Sequence, residues 1–433
     1  MNPGSDTAAS IALAASATGS GPLTEAAIER HIAPLFSRVL DSGRGVAYAG
    51  GAGPRGASEG STVRGTSAQS IYLANHSLGR PLDATANDVA EAILLWQTRM
   101  GNAWDAWSDE ISAYRSRLAQ LLGAARADCV VPKTSAGQGL RAILNTYDAP
   151  PRVVATRGEF DSVDVILKHY AARGRIALRF VEARGDGLFA AEDLVAAVRG
   201  GADLLVVSQV MFDTGQITPE LGPLVAAAQA AGTRVLLDTY HSAGVFPVDL
   251  SVLDVDFAIG GSYKYLRGGP GACYLYLHPR HLDGKLSTLD VGWFGKREPF
   301  SYLRPDPPEF AAGGDAFLES TPPVLTCYQA RSGQLFTLAM GVERLRAYSL
   351  MQQQRLVSLL VQHGIDAVGG TRNRGAFLIL SSPKAKRWAI ALNERGLKTD
   401  ARGAYLRLCP DLLTTDEELV RAADIVAGVV ATD

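Results

Sequence analysis

The residues best suited to chemistry lie between positions 236 and 277, where an acid, an imidazole and an amine follow apolar runs. Asp238 ends the run RVLLD, His241 comes three residues later, and Lys264 follows FAIGGS at 257–262. In an α/β sheet the site forms outside the carboxyl ends of the strands, so we expect the three side chains to meet there. A surface lysine or a strand-end cap would explain either residue alone, but the combination indicates a site.

An amine beside a carboxylate suits a cofactor that carries an aldehyde and a basic ring nitrogen. Lys264 can bond the aldehyde covalently. Asp238 can hold a proton on the ring nitrogen, because a nearby carboxylate favours the cationic form. The protonated ring then stores electrons during the reaction. Pyridoxal 5'-phosphate is a cofactor of this kind, and the sequence predicts it here.

An anion site is predicted at Thr134 and Ser135 in the run VPKTSAGQGLRAIL. These two residues follow an apolar run and open a helical pattern. Hydroxyls and free backbone N–H groups at the start of a helix bind anions, so the pair suits the cofactor phosphate. An ordinary helix N-cap is the alternative interpretation.

The run SYKYLRGGPG around Lys264 resembles the lysine segment of class V pyridoxal-phosphate enzymes, and within that class it is most similar to kynureninases. The similarity extends over most of residues 71–425. It implies an α/β chain of the pyridoxal-phosphate-dependent transferase fold type I. A large domain with a mostly parallel sheet would hold the cofactor, and a smaller α+β domain would follow it.

The resemblance implies roles for further residues of the cofactor site. Phe160 matches the aromatic residue that stacks on the cofactor ring, and Ser208 matches a cofactor contact. Tyr263 matches a tyrosine that contacts the phosphate and relays protons, and His241 belongs to the same cofactor-binding set. Val163 stands where kynureninases have an acid, but Asp161 and Asp164 lie on either side of it, and either of them could serve instead.

Two residues imply a homodimer with shared active sites. Trp293 in DVGWFGKREPF and Thr321 in ESTPPVL match family residues that reach the phosphate region of the neighbouring subunit's site. The partners expected from the resemblance are therefore a second copy of this chain and a small amino-acid substrate.

The substrate residues are implied with less detail. Arg407 in YLRLCP resembles the arginine that grips the substrate α-carboxylate, a task for which a planar guanidinium is suited; a strand-edge surface arginine is the alternative. Asn102, Trp104 and Trp107 are the candidates for recognising the substrate side chain, and none of them aligns securely with the family pattern.

The resemblance implies hydrolytic cleavage of the Cβ–Cγ bond of a 2-amino-4-oxo acid, kynurenine or a related compound, to alanine and a carboxylic acid. A class V aminotransferase and a lyase acting on another amino acid stay open, because one scaffold hosts several reactions. A cysteine desulfurase is disfavoured, since it needs an exposed thiol on a loop well after the lysine, and no cysteine lies between Cys327 and Cys409. A cofactor-binding regulator without catalysis is the remaining alternative.

Composition excludes several other classes. The chain has 433 residues, a net charge of −2 and 47% hydrophobic residues, which is typical of a soluble globular protein. Near-neutral charge argues against nucleic acid or an anionic membrane as a partner. No apolar run approaches the roughly 20 residues that span a bilayer. Four scattered cysteines without a CxxC pair predict no metal site and are typical of a cytoplasmic protein.

The elements that must position these residues divide the chain into three parts. Residues 1–69 are predicted to be a flexible arm, with loose tracts at 1–22 and 42–69 around one amphipathic helix at 25–40. Residues 70–320 are predicted to be the large cofactor-binding domain, and residues 321–433 the small domain, which starts with one long helix over 325–350. The seven strands predicted in the large domain cover 129–132, 152–157, 178–183, 203–210, 234–238, 257–262 and 272–277.

Overall fold

The computed structural model describes residues 3–41 and 70–432. Its strands, in chain order, are β1 (Ile71–Tyr72), β2 (Val130–Lys133), β3 (Arg152–Thr156), β4 (Ala177–Val181), β5 (Leu204–Ser208), β6 (Arg234–Asp238), β7 (Phe257–Gly261), β8 (Cys273–Leu277), β9 (Leu378–Ser381), β10 (Leu397–Lys398), β11 (Asp400–Arg402) and β12 (Tyr405–Leu408). Its α-helices are α1 (Pro3–Ala17), α2 (Glu25–Ala27), α3 (Ser37–Asp41), α4 (Ala84–Arg99), α5 (Ala103–Leu121), α6 (Ala136–Leu144), α7 (Asp161–Ala172), α8 (Ala191–Arg199), α9 (Leu221–Ala230), α10 (Leu250–Leu253), α11 (Val324–Met340), α12 (Val342–Gln362), α13 (Ala385–Glu394) and α14 (Asp416–Ala431).

A seven-stranded sheet forms the centre, in the order β2-β8-β7-β6-β5-β3-β4. The strands β7, β6, β5, β3 and β4 are parallel to one another, whereas β8 runs antiparallel to both β2 and β7. Each of the seven predicted strands overlaps one of these, so the mostly parallel α/β sheet expected from the sequence is confirmed.

Helices cover both faces of this sheet because its side chains alternate between two apolar clusters. Leu205 and Val207 of β5 pack with α5, α8 and α9 on one face. Leu204 and Val206 pack with α6 and α7 on the other. Strands buried on both faces have continuous apolar sequences, and for this reason their positions could be predicted from the sequence.

A third apolar cluster lies beneath the antiparallel sheet β11-β12-β9, against α12, α13 and α14. The bridging segment, residues 71–79, joins this C-terminal unit to the central sheet. Within it β1 pairs with β10 and Leu73 accepts a hydrogen bond from the N–H of Cys409, 2.8 Å away. At its other end the N–H of Gly79 donates to the carbonyl of Tyr263 at 2.8 Å. The domain boundary at 320 stays a prediction.

Three local predictions were wrong. The helix predicted over 325–350 is two helices, α11 and α12, because Gly341 adopts a φ of 79° between them. The tract 1–22, predicted to be flexible, contains α1, whose Ile11 and Ala15 are buried in an apolar cluster with Phe336. Alanine-rich helices lack the strong apolar pattern that would have revealed it.

The amphipathic helix predicted over 25–40 is broken into short pieces. A π-helical turn at Ile28–Ile32 and a 3-10 turn at Ala33–Phe36 separate α2 from α3. Pro34 cannot donate a backbone hydrogen bond, which prevents one continuous α-helix. The predicted apolar face is nevertheless buried at Ile28, Ile32 and Phe36. The second predicted loose tract, 42–69, lies outside the described residues.

No helix within residues 3–41 and 70–432 combines the length and apolar character that crossing a bilayer requires.

Candidate active site

A cavity of about 220 Å³ lies at the carboxyl ends of the parallel strands. Ser208 ends β5, Asp238 ends β6, and Lys264 follows β7, so three neighbouring strands deliver their last polar residues to one edge. The structure brings together eight of the residues predicted from the sequence, namely Thr134, Ser135, Phe160, Ser208, Asp238, His241, Tyr263 and Lys264.

Lys264 is a buried amine beside an imidazole. Its Nζ lies 2.6 Å from Nε2 of His241. Burial lowers the pKa of Lys264, an effect that the carboxylate of Asp238 opposes and the charge of Arg407 reinforces. Burial also lowers the pKa of His241 well below its usual value. The amine is therefore biased towards its neutral, nucleophilic form.

Asp238 provides the carboxylate of the cavity. It is 5% exposed, and its Oδ1 accepts the backbone N–H of Tyr240 at 2.8 Å. Burial raises its pKa, while the Tyr240 N–H and the positive charge of Lys264 oppose that rise. A carboxylate in this position can stabilise a cation placed in the cavity.

The other end of the cavity is the N-terminus of α6. The Oγ of Ser135 accepts the N–H of Gln138 at 3.1 Å, and Thr134 donates its hydroxyl to the side-chain oxygen of Gln138 at 3.1 Å. Ser135 is thus an N-cap, as the alternative interpretation held. The first turn of the nine-residue helix faces the cavity as well, which is the arrangement that binds a phosphate.

Aromatic rings enclose the space between these ends. The Lys264 Nζ lies 5.4 Å from the ring centre of Phe160, 5.0 Å from that of Tyr240 and 5.6 Å from that of Tyr263. Sequence reasoning missed Tyr240, although it lies between Asp238 and His241. A Cβ on Gly261 would lie only 2.2 Å from the Tyr240 hydroxyl, so the glycine makes room for this ring.

Glu159 is a second residue that the sequence did not reveal. It is 3% exposed and accepts hydrogen bonds from the hydroxyls of Thr156 and Ser208, each at 2.6 Å, and from the Ser208 N–H at 3.2 Å. Burial raises its pKa to about 7, although the bonds from Ser208 and Thr156 oppose the rise. The hydroxyl proton of Ser208 therefore points to Glu159. The lone pairs of the Ser208 oxygen stay available to accept a hydrogen bond from a group in the cavity.

The predicted side-chain recognition residues lie outside the lining of this cavity. Asn102 precedes α5 on an exposed surface, and Trp104 packs edge-on against Trp107 with ring centres 5.3 Å apart. Trp293 donates its Nε1–H to the hydroxyl of Thr321 at 3.3 Å. Trp293 and Trp104 share one aromatic surface group, which is also lined by Phe294 and Phe300.

Arg407 is 3% exposed and is held by other protein groups. Its Nε and Nη2 lie 2.8 and 2.6 Å from the two carboxylate oxygens of Asp400, and its Nη1 donates to the carbonyl of Phe212. Phe212 lines the cavity. Sequence reasoning located Arg407 but missed Asp400, which lies across from it on the neighbouring strand.

The residues present fit pyridoxal phosphate. A buried amine, a buried carboxylate and a helix N-terminus are what its aldehyde, ring nitrogen and phosphate require, and the ring of Phe160 supplies an apolar wall. Together with the mostly parallel sheet, this arrangement defines a fold type I pyridoxal-phosphate enzyme.

The comparisons with known proteins agree with this class. The model of the class-V aminotransferases matches residues 98–376, well over half of the sequence. The chain belongs to the class-V aminotransferase family. It is 30% identical over 365 residues to a kynureninase of Deinococcus radiodurans, an alignment that covers 79% of this chain and 84% of that protein.

Solved structures with low sequence identity share the fold. A cysteine desulfurase from Thermococcus onnurineus NA1 has a TM-score of 0.73 at 16% identity, covering 84% of this chain and 95% of its own. A C-DES variant with glycine covalently linked to its PLP cofactor has a TM-score of 0.72 at 20% identity, covering 83% and 97% of the two chains.

Proposed function

We propose that this protein is a pyridoxal-phosphate-dependent hydrolase that cleaves the Cβ–Cγ bond of a 2-amino-4-oxo acid, kynurenine or a close relative, into alanine and a carboxylic acid. The observation that carries the proposal is the buried Lys264 amine in one cavity with Asp238 and the N-terminus of α6. The similarity to a kynureninase over most of both chains supports this reaction.

The cofactor is pyridoxal phosphate, which supplies an electron sink when bound. Lys264 would hold the aldehyde and, once displaced by the substrate amine, move the Cα proton on its Nζ. Asp238 would keep a proton on the ring nitrogen. Thr134, Ser135 and the first N–H groups of α6 would bind the phosphate.

Tyr263 suits the proton relay to the substrate's γ-oxygen. Its ring centre lies 5.6 Å from the Lys264 Nζ, and burial raises the pKa of its hydroxyl. The hydroxyl therefore stays protonated at neutral pH and can donate. Water that adds to the γ-carbonyl would complete the hydrolysis, and Arg407 would bind the α-carboxylate.

A class V aminotransferase or a lyase would use the same cofactor residues and is the second candidate. A cysteine desulfurase is disfavoured by an observation on the thiols, since Cys129, Cys273, Cys327 and Cys409 are all buried. No thiol of this chain stands exposed on a loop to receive sulfur.

A homodimer forms part of the proposal. Trp293 lies beside Phe300 and Tyr302, with ring centres 5.5 and 6.3 Å away. Tyr302 and Leu303 are 70% and 65% exposed, which makes an apolar surface of the kind that partners cover. A second copy of the chain is the occupant expected, with Trp293 and Thr321 reaching its site.

The test uses the purified chain loaded with pyridoxal phosphate and supplied with L-kynurenine. We expect anthranilate, followed by its fluorescence, and alanine in equal amounts. Lys264→Ala should abolish both products and the visible band of the bound cofactor, whereas Lys285→Ala, at a lysine with an 87% exposed side chain, should retain them. Conversion of the cofactor to its amine form by amino acids, without anthranilate, would favour the aminotransferase.

A further inference from the structure

The geometry around Arg407 assigns a role to two residues outside the cavity lining. Asp400 and Arg407 are direct cross-strand partners of β11 and β12, so their side chains share one face of the small sheet. The carboxylate of Asp400 engages the Nε–Nη2 edge of the guanidinium with two bonds of 2.8 and 2.6 Å. Such a paired contact fixes the plane as well as the position of the group.

His76 holds Asp400 from the bridging segment. Its Nε2 lies 2.7 Å from Oδ1 of Asp400, and its side chain is fully buried. Burial, followed by the charge of Arg407, lowers the pKa of His76 to about 4, so the ring is neutral and its one N–H is donated to the carboxylate. Phe377 packs against this imidazole with ring centres 5.1 Å apart, which fixes its orientation.

The guanidinium therefore has one edge left. Asp400 occupies Nε and Nη2, and Nη1 also donates to the carbonyl of Phe212. The remaining N–H groups of Nη1 and Nη2 form the end edge, which can bind a carboxylate through two parallel bonds. Nη1 donates to the carbonyl of Phe212, which lines the cavity, so the guanidinium stands beside the cavity.

The charge of the cluster suits a single carboxylate. Arg402 also approaches Asp400, with its Nη2 3.5 Å from Oδ2. Two guanidinium groups thus share one carboxylate beside a neutral His76, which leaves one net positive charge. Asp400 orients Arg407 without cancelling the attraction of the cluster for an anion.

We propose that Asp400, held by His76, is a positioning residue that presents only the end edge of Arg407 to the substrate α-carboxylate. The inference rests on the proposed function for the identity of the substrate. It makes the site selective for amines that carry a carboxylate on the carbon next to nitrogen, whatever their side chain.

The experiment compares two probes that differ by one carboxylate, L-alanine and ethylamine. Their dissociation constants are measured with the holoenzyme from the change in the visible spectrum of the bound cofactor. Asp400→Asn should weaken L-alanine about tenfold or more, because a misplaced binding group loses most of its effect. Ethylamine should change by less than about twofold, a split that general damage to the fold would not produce.

Controls separate positioning from stability. Asp366→Asn removes one exposed carboxylate from the same C-terminal unit and should leave both dissociation constants unchanged. His76→Gln retains an N–H donor and should weaken L-alanine less than His76→Ala does. This pair also replaces Asp400→Asn if that variant does not fold.

Two outcomes overturn the proposal. Tighter binding of L-alanine by Asp400→Asn would show that Asp400 competes with the substrate for Arg407. An equal loss for L-alanine and ethylamine would show a structural role only. Neither probe requires turnover, so failure to convert kynurenine would refute the hydrolase and leave this test intact.

Discussion

Replacing Glu159 by Gln should stabilise the protein at alkaline pH and have little effect at acidic pH. Burial raises the pKa of Glu159 from 4.5 to about 7, so the folded protein holds this proton more tightly than the unfolded chain does. Its contribution to stability is therefore fully present below pH 4.5 and is lost as the pH rises to 7. A shift of about 2.5 pKa units corresponds to about 3 kcal/mol.

The assay is thermal unfolding of the holoenzyme between pH 5 and pH 8. At about 2.1 cal/mol/K of unfolding entropy per residue, a chain of 433 residues should convert about 3 kcal/mol into a Tm shift of about 3–4 °C. The Tm of Glu159→Gln minus that of the wild type should therefore rise by most of that amount, about 3 °C, from pH 5 to pH 8.

The control is Asp193→Asn. Arg184 holds the pKa of this exposed carboxyl below its usual value of 3.8, so it takes up no proton in the range tested. The difference in Tm between Asp193→Asn and the wild type should stay constant from pH 5 to pH 8. A level difference for Glu159→Gln as well would refute the claim that burial raises the pKa of Glu159 in the folded protein.

Three further outcomes are expected. Asp238→Asn should lower the pKa of Lys264, because the carboxylate of Asp238 raises it. Competitive acetylation of the apoenzyme, followed by mass spectrometry, should show the Lys264 titration midpoint at lower pH in the variant; an unchanged midpoint would contradict the interaction of Asp238 with Lys264. Gly79→Ala should weaken cofactor binding on the order of tenfold, since its Cβ would lie 1.9 Å from the Lys264 carbonyl oxygen; a dissociation constant equal to the wild type's, from titration of the visible band, would argue against this. Trp293→Ala should shift a dimer towards monomer in light scattering, and an unchanged mass would count against the proposed interface.

The central sheet was predictable because local composition determines it. Runs such as DLLVVSQV and RVLLD are apolar over their whole length, as strands buried on two faces must be. The break at Gly341 was not predictable from the periodicity, since a glycine within a helical pattern is often tolerated. The positions of Asp238 at the end of β6 and of Lys264 just after β7 followed directly from the sheet.

The residues missed in the site depend on distant parts of the chain. Glu159 acts through Ser208, 49 positions later, and His76 meets Asp400 across 324 positions. No local pattern marks such pairs, because only the assembled fold brings them within hydrogen-bond distance. Asn102 and Trp104, by contrast, were chosen from their neighbourhood in the family pattern. Within one chain both lie outside the cavity lining, and Trp104 packs in the aromatic surface group.

The bridging segment, residues 71–79, connects the C-terminal unit to the backbone beside Lys264. Leu73 is hydrogen-bonded to the C-terminal unit, and Gly79 to the carbonyl that precedes Lys264. If the C-terminal unit moved when a ligand bound at Arg407, the movement would be transmitted through residues 73–79 to the backbone next to Lys264. We therefore expect ligand binding at Arg407 and the backbone conformation at Lys264 to be coupled through the bridging segment.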